Sequence, residues 1–594
     1  MLPAMCRVKK SSWMVLAAAC ALFAGLSAFA WRDMGYMNEE EMPHLRLLPR
    51  ILAPQTAAAG VSASGAAGAG ASGSGAETTA HPASGKPVLT HPESSALGPG
   101  CHLVLASQWP TFSVVCDGSV WPVLSETYQG SWVYYVSYAW QAVFGDSLAA
   151  LRWLSILFGV AGIILVFLAL RREAGEVTAL VASCLLATNL VYIASFGLGF
   201  LYEAVPMLLV LASYAALDGV SRPRLSLSAL FLALAVSLKA TVGVMGLAWL
   251  VLAWRHRKAA TAATWVRVAV ALAVPMLPFV VHEVLCVVRG VPESSVFSYL
   301  ASRGDSLSDG SRLPAILLSS VQWLVAAVGN LDVVSAPALG TGTSPWWRPD
   351  LAFLGSAALA WTGWRAWRGA AAGFELFALA GAGVAFAESV ALYSTSGEIQ
   401  AYLYVLPFLV AVVASAVVRG PVPRPWAAVA VMLFLSQPVG LLANAGAPGK
   451  LMADRGAQEQ VCQSVAGWGG DVVTTDYYHI GLMEHCTRGA VRPYHAQFLL
   501  AARASAPELR EHLALVADGL LRDFPGALFL LDTSPVASRE VRFAAALGEG
   551  QSFAVLLNEA FADAAARAGR RWQQVASGHA RNGVHLYGLF RMAE

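Results

Sequence analysis

Several ionisable side chains stand in or beside apolar runs of this sequence, where charged residues are uncommon. They are Asp33, Glu39, Glu40, Glu41, Glu203, Lys239, His282, Glu283 and Glu388. A carboxylate close to a hydroxyl group can remove its proton, and a partly buried carboxylate does this best. A lysine ammonium group can form a charge-assisted contact with phosphate. These residue types predict hydroxyl activation beside a bound anion. The alternative for each residue is a solvated or purely structural charge.

The composition indicates a membrane protein. Of the 594 residues, 57% are hydrophobic and only 13% are charged, and the mean hydropathy is +0.57. Soluble domains carry about a quarter of charged residues, so the elements that position these side chains are expected to cross a bilayer. The net charge of +2 gives no indication of nucleic-acid binding.

The first apolar run, residues 12–30, follows Arg7, Lys9 and Lys10. Small residues at 27–30 would suit cleavage of a signal peptide. We favour an uncleaved first span, because the run is about 18 residues long and the acidic cluster follows it directly. In either case the next segment is exported.

The remaining apolar runs define the predicted topology. They occupy residues 148–170, 177–196, 201–217, 225–254, 266–288, 351–366, 374–393, 402–418 and 426–443. Basic residues flank both ends of 225–254, so the positive-inside rule favours two short spans that turn near Lys239. The sequence predicts an α-helical integral membrane protein with about 11 transmembrane helices in a bacterial inner membrane. The N-terminus is then cytoplasmic and the C-terminal domain periplasmic.

The predicted domains follow from this topology. A transmembrane domain covers residues 1–448 and includes a first exported loop at 32–147. Residues 56–100 of that loop are rich in Ala, Gly and Ser and predict a flexible linker. Residues 449–594 alternate short apolar strands with amphipathic helices, which is typical of a soluble α/β domain.

Four cysteines lie in the segments that we place outside the cytoplasm. Cys101 and Cys116 form one short-range pair, and Cys462 and Cys486 form another. Such pairs in an oxidising compartment suggest disulfides. Unpaired thiols are the alternative, since no spacing here is diagnostic.

The stretch Pro122–Arg152, PVLSETYQGSWVYYVSYAWQAVFGDSLAALR, resembles the loop-to-second-span region of GT-C membrane glycosyltransferases. The resemblance is to the protein O-mannosyltransferase and aminoarabinose transferase type. Three later phrases are similar to that family in the same order: RREAGEVTALVASCLLATN, LALAVSLKATVG and AYLYVLPFLVAVVA. Together the phrases cover most of the membrane part.

The resemblance implies transfer of a hexosyl or pentosyl group from a polyprenyl-phosphate carrier to an acceptor on the outer face, with inversion. The acceptor would be a lipid, glycan or protein. An acidic residue of the first loop would be the general base, and Glu39 and Glu40 are the preferred candidates. Glu203 would be a second acidic residue of the site, although Gly197-Leu198-Gly199 stand where relatives often have Arg or Asp. Some members also use a divalent metal ion, and the sequence does not assign one here.

Contacts to the carrier or its phosphate have five candidates. They are Lys239, Arg303, His282, Glu283 and Tyr402. The alternative for Lys239 is snorkelling to the interface, and the alternative for His282 and Glu283 is an internal structural pair. Tyr402 follows Gln400-Ala401, where the family often has an arginine, so Tyr402 is the candidate replacement.

Two other functions compete with a glycosyltransferase. One is a transporter or flippase of lipid-linked sugars, for which internal repeats and broken spans in matching halves would be typical. No such repeat occurs in this sequence, and the long exported loops favour an enzyme. The other is a degenerate, non-catalytic relative that supports envelope assembly.

Overall fold

The structure is a computed structural model. It describes residues 9–30, 101–105, 112–116, 119–126, 129–145, 147–197, 199, 201–217, 224–289, 295, 314, 349–392, 403–439, 455–466, 468–475, 482–483, 486, 492–495, 506–533, 552–579 and 585–594. The chain forms two compact units. The first combines Met1–His44 with Val123–Ala453, and the second combines Leu45–Pro122 with Asp454–Glu594. The domain boundary at 448/449 stays a prediction.

The first unit is mostly helical. Its described helices are α1 (Lys10–Ala30), α2 (Trp132–Phe144), α3 (Leu148–Leu170), α4 (Glu176–Ala187), α5 (Leu190–Gly197), α6 (Leu201–Leu217), α7 (Leu225–Leu238), α8 (Met245–Arg255), α9 (Ala262–Arg289), α10 (Pro349–Trp367), α11 (Gly373–Leu392), α12 (Leu406–Arg419) and α13 (Arg424–Leu435). Two 3₁₀ segments, Ala240–Val244 and Arg257–Ala259, flank α8. Apart from α2, which lies in the predicted loop 32–147, these helices fall on the apolar runs of the sequence.

Helices long and apolar enough to cross a bilayer number three among the described residues, or four if one bent pair is a single span. The three are Lys10–Phe29, Leu148–Leu170 and Ala262–Val288. A crossing helix needs about 20 residues, and helices such as α6, α7 and α12 are shorter. The protein is an integral membrane protein, and the count of about 11 spans stays a prediction.

The bent pair joins α4 and α5 at an angle of 58°. Asn189 causes this break locally, because its side-chain Oδ1 accepts a hydrogen bond from the Tyr192 backbone N–H at 3.1 Å. An asparagine in this position caps a new helix. The Tyr192 hydroxyl then donates to the Gly159 carbonyl of α3 at 2.6 Å. Gly159 has no side chain, which leaves room for the rings of Phe23 and Phe196. The core of the first unit therefore packs closely around a small residue, as is typical of membrane helices.

Helices α6 and α7 form an antiparallel pair. The Ser213 hydroxyl donates to the Ser228 carbonyl, and the Ser228 hydroxyl donates to the Ser213 carbonyl, each at 2.8 Å. Glu203 in the first turn of α6 and Lys239 just after α7 therefore lie at the same end of the pair. We call this the Lys239 end. Lys239 adopts an extended backbone, with φ −145° and ψ 106°, which ends α7.

A second polar cluster lies at the opposite end of these helices, the Glu375 end. The carboxylate of Glu375, fully buried near the start of α11, accepts hydrogen bonds from Arg365 at 3.1 Å and Ser415 at 2.7 Å. Glu173, after α3, accepts from the Tyr214 hydroxyl at 2.9 Å and from the Phe374 N–H at 3.1 Å. Carboxylates at the first turn of a helix also interact favourably with its dipole.

The second unit contains two described substructures. Strands β1 (Cys101–Leu105) and β2 (Phe112–Cys116) pair antiparallel, and a disulfide joins Cys101 to Cys116. The strand β3 (Ser119–Glu126) follows and pairs within the first unit with β4 (Gln129–Gly130).

The C-terminal part of the second unit contains both helices and strands, and a separate α/β domain here stays a prediction. Its elements are α14 (Arg455–Val465), β5 (Asp471–Thr474), β6 (Arg492–His495), α15 (Ala506–Asp523), β7 (Leu528–Asp532), α16 (Phe553–Arg567), β8 (Arg571–His579) and β9 (His585–Ala593). The sheet order is β6-β5-β7-β9-β8, with β5 parallel to β6 and β7, and β9 antiparallel to β7 and β8. A disulfide joins Cys462 and Cys486.

Candidate active site

The Lys239 end contains a buried ion pair. The ammonium group of Lys239 donates to the Oε1 atom of Glu203, and the two residues are 4% and 3% exposed. The sequence predicts Lys239 as a phosphate contact and Glu203 as a second acidic residue of the site. In the structure the two side chains contact each other directly. A pair so deeply buried is costly unless its partners are well arranged. A functional role for this ion pair would explain why the protein contains it despite its cost in stability.

The short strand β4 lies against the break after α7. Gln129 forms an antiparallel main-chain bridge with Lys239, and the Trp132 indole N–H donates to the Ser237 hydroxyl at 3.3 Å. Gly130 makes this approach possible, because a Cβ at that position would overlap the Ser237 carbonyl oxygen. The segment before α2 therefore helps to hold the extended backbone of Lys239.

Tyr202, the neighbour of Glu203, makes a second connection to the same segment. Its hydroxyl lies 2.9 Å from both the Ser125 hydroxyl and the Gly130 carbonyl oxygen. The Tyr202 ring also packs edge-on against Tyr134 of α2, with centroids 5.2 Å apart. Both members of the ion pair are thus connected to the segment that precedes and begins α2.

The aromatic helix α2 also carries a half-buried phenol, that of Tyr135. Burial raises the pKa of Tyr135 to about 12, so this phenol stays protonated at neutral pH. A neutral phenol can donate a hydrogen bond and carries no charge.

Glu388 near the end of α11 belongs to the same cluster. It is 5% exposed, and its Oε2 atom accepts a hydrogen bond from the Tyr404 hydroxyl at 2.7 Å. Glu388 also lies within electrostatic range of Lys239 and Glu203. Three ionisable side chains, from α6, α11 and the break after α7, therefore lie at the Lys239 end.

His282 and Glu283 contact each other on α9. The His282 Nδ1 atom lies 3.4 Å from the Glu283 Oε1 atom, and the Cys286 Sγ atom lies 3.7 Å from His282 Nε2. His282 is fully buried, and α9 packs along α7. These contacts fit the structural pair that the sequence left open. A carrier contact by either residue stays a prediction.

Several predicted residues lie outside the described part of the chain. They are Asp33, Glu39, Glu40, Glu41, Arg303 and Tyr402. Tyr404, two positions after Tyr402, contacts Glu388, and sequence reasoning missed it. A tyrosine inside an apolar phrase was the available signal. Gln129 gave no signal at all, because its contact is made by the main chain.

A metal site would need a group of carboxylate, imidazole or thiolate ligands. Among the described residues, no three such side chains are grouped to hold an ion. The acidic cluster Glu39–Glu41 of the first loop lies outside the described residues.

Comparison with known proteins gives one family match. Residues 130–282 match the family model of dolichyl-phosphate-mannose-protein mannosyltransferase. This segment contains Gly130, Glu203, Lys239 and His282. The match confirms the resemblance to GT-C membrane glycosyltransferases for this part of the chain. No curated protein matches the chain.

Three solved structures are similar over most of the chain. ArnT from Cupriavidus metallidurans, bound to undecaprenyl phosphate, is 11% identical with a TM-score of 0.35 and covers 98% of both chains. The Archaeoglobus fulgidus oligosaccharyltransferase in complex with Zn and sulfate is 12% identical, with a TM-score of 0.45 over 96% of this chain and 72% of its own. The same enzyme tethered to an acceptor peptide is 11% identical, with a TM-score of 0.46 over 98% and 74%. At these values the likenesses carry no argument about chemistry.

Proposed function

We propose that this protein is a membrane glycosyltransferase that takes a sugar from a polyprenyl-phosphate carrier and transfers it, with inversion, to an acceptor at the exported face. The observation that carries the proposal is the buried Lys239–Glu203 pair inside the segment that matches the mannosyltransferase family. The pair lies at the helix end where the first exported loop returns to the membrane, so a lipid-linked phosphate can approach it from the bilayer. The acceptor is a lipid, glycan or protein.

Lys239 has the charge that the carrier phosphate requires. As the bond between the anomeric carbon and the phosphate oxygen breaks, negative charge grows on the departing phosphate. An ammonium group fixed nearby stabilises this charge most strongly where water is excluded. The main-chain bridge to Gln129 fixes the Lys239 backbone, so the ammonium group does not have to be ordered during the reaction.

Glu203 is better suited to orienting Lys239 than to removing a proton. The ion pair stabilises the ionised carboxylate and thereby weakens Glu203 as a base. We therefore assign Glu203 to holding Lys239, which refines its predicted catalytic role.

The general base remains Glu39 or Glu40. Its carboxylate takes the acceptor hydroxyl proton while the acceptor oxygen bonds to the anomeric carbon from the side opposite the phosphate. The polyprenyl phosphate leaves with the bonding electrons, and the anomeric configuration inverts.

Replacement of Lys239 tests the phosphate assignment. The full chain in detergent is titrated with undecaprenyl phosphate, and binding is measured by native mass spectrometry. We expect Lys239→Met to weaken binding about 10- to 100-fold, because a charge-assisted hydrogen bond is lost. Lys258→Met, in the exposed 3₁₀ segment Arg257–Ala259, is the matched control and should bind like the wild type.

A second variant addresses folding. Lys239→Met alone leaves the Glu203 carboxylate buried without its partner, whereas Lys239→Met with Glu203→Gln removes both charges. Wild-type affinity in a folded double variant would refute the role of Lys239.

The proposed orientation has its own test. With the N-terminus cytoplasmic and the C-terminal domain periplasmic, alkaline phosphatase fused after Glu594 should be active, because this reporter needs an oxidising compartment. Green fluorescent protein fused at the same place should be dark after export through the general secretory route. The opposite pair of signals would overturn the odd number of spans.

A further inference from the structure

An apolar groove of about 350 Å³ lies between α12 and α13 in the first unit. Its lining includes Val417 of α12 and Val431 and Met432 of α13. Ala427 and Ala428 also line it, and their short side chains leave the space between the two helices open. A volume of this size is within the range of small-molecule sites in proteins. The proposed mechanism gives this groove no task.

One end of the groove is positively charged. Arg424, the exposed first residue of α13, lines the groove, and Arg419 ends α12 five residues earlier. Neither guanidinium group forms an ion pair with any residue that the structure describes. Residues 399–453 contain no Asp or Glu, so the neighbouring sequence does not compensate these charges either. The groove therefore favours an anionic group at this end.

The position of the groove along α13 fits an amphiphile. Trp426, two residues after Arg424, is 66% exposed, and tryptophan is enriched where membrane helices meet the lipid headgroups. Met432 follows Arg424 by eight residues, which corresponds to about 12 Å along a helix. Met432 is also 66% exposed, so the apolar part of the groove is open to acyl chains. The positive charge thus lies at headgroup level and the apolar lining lies deeper.

We propose that this groove binds an anionic phospholipid of the cytoplasmic leaflet, with the lipid phosphate against Arg424 and an acyl chain along Val431 and Met432. An arginine can donate two parallel hydrogen bonds to a phosphate. Basic pockets between membrane helices on the cytoplasmic side are typical sites for anionic headgroups, and the predicted topology places the α12–α13 turn on that side. Ser415, one turn before Arg419, donates to Glu375, so the charged mouth lies at the Glu375 end. The site is therefore remote from the Lys239 end and independent of the proposed function.

The test compares two lipids with the same acyl chains. The delipidated full chain in detergent is titrated with phosphatidylglycerol, which is anionic, and separately with phosphatidylcholine, which has no net charge. Native mass spectrometry measures the affinity for the first bound lipid. We expect Arg424→Gln to weaken the binding of phosphatidylglycerol about fivefold and to leave that of phosphatidylcholine unchanged. Arg257→Gln, which replaces an exposed arginine in the 3₁₀ segment after α8, is the matched control and should bind both lipids like the wild type.

A second variant tests the apolar part of the groove. Ala428→Phe places a ring where the acyl chain would lie, so both lipids should bind about five- to tenfold more weakly. Val429→Phe adds the same ring at the next position, which is 46% exposed and is not among the residues that line the groove. This control should bind both lipids like the wild type.

Three results would overturn the inference. The first is equal affinity of the wild type for the two lipids, and the second is unchanged binding of phosphatidylglycerol by folded Arg424→Gln. If Arg424→Gln does not fold, equal binding by Ala428→Phe and Val429→Phe is the deciding contrary result. The third is loss of phosphatidylglycerol binding in Lys239→Met, which would place this lipid at the Lys239 end instead. The proposed function is tested with undecaprenyl phosphate and would stand after any of these results.

Discussion

Replacing Glu39, Glu40 and Glu41 together by Gln is expected to abolish sugar transfer. Gln keeps the size and polarity of each side chain but cannot accept a proton from the acceptor hydroxyl. Loss of a general base lowers the rate about 10²- to 10⁴-fold. The measurement is the analysis of cell-envelope glycans in a deletion strain that carries the wild-type or the triple-variant chain. The triple variant should leave the glycans as they are in the deletion strain.

The single variants locate the base within the cluster. Glu39→Gln or Glu40→Gln should reproduce the loss, while Glu41→Gln should retain transfer. Glu459→Gln is the control, because Glu459 is exposed on α14 and pairs only with Arg455 among the contacts described. Wild-type glycans in a strain with a normally produced triple variant would remove the first loop from the catalytic assignment.

Gly130→Ala is expected to destabilise the first unit and to disturb the candidate site at the same time. The added Cβ would overlap the Ser237 carbonyl oxygen, and that atom belongs to the backbone and cannot rotate away. Overpacking of this kind costs about 1–3 kcal/mol. Strand β4 must then move away from Lys239, so binding of undecaprenyl phosphate should weaken as well. Thermal unfolding in detergent and the lipid titration measure the two effects.

Gly246→Ala is the matched control for this substitution. Gly246 lies in α8, and a Cβ there would meet no atom within 4 Å. Alanine is a better helix former than glycine, so stability should rise by up to about 1 kcal/mol. Equal stability of the Gly130→Ala and Gly246→Ala chains would show that β4 does not depend on its close approach to α7.

The apolar runs of the sequence predicted most helices of the first unit, because burial of side chains in lipid leaves a strong pattern. The break at Lys239 was also predictable, since basic residues flank both ends of that run. The number of spans was harder to derive. Asn189 bends one run into α4 and α5, and α6 and α7 are shorter than a full crossing. Hydropathy alone does not separate a complete span from a short buried helix.

The candidate site was predicted in its residue types and only partly in its contacts. The predicted topology places Glu203 and Lys239 on one side of the membrane, but their direct pairing depends on the register of α6 against α7. That register is set by local contacts such as the two hydrogen bonds between Ser213 and Ser228. The periodic pattern of apolar residues in the sequence does not predict such contacts. Glu388 stood out as a lone acid in an apolar run. Its hydrogen bond with Tyr404 could be identified only from the structure.

The bridge between Gln129 and Lys239 uses only main-chain atoms. Any residue except proline can supply the same N–H and carbonyl groups, whatever its side chain. A search of related chains for a particular residue at position 129 would therefore overlook this contact. The residue beside it, Gly130, is the position where such a search would succeed, because only the absence of a side chain permits the approach. In related sequences, this main-chain bridge should therefore appear as one position that accepts almost any residue, followed by a position that is always glycine.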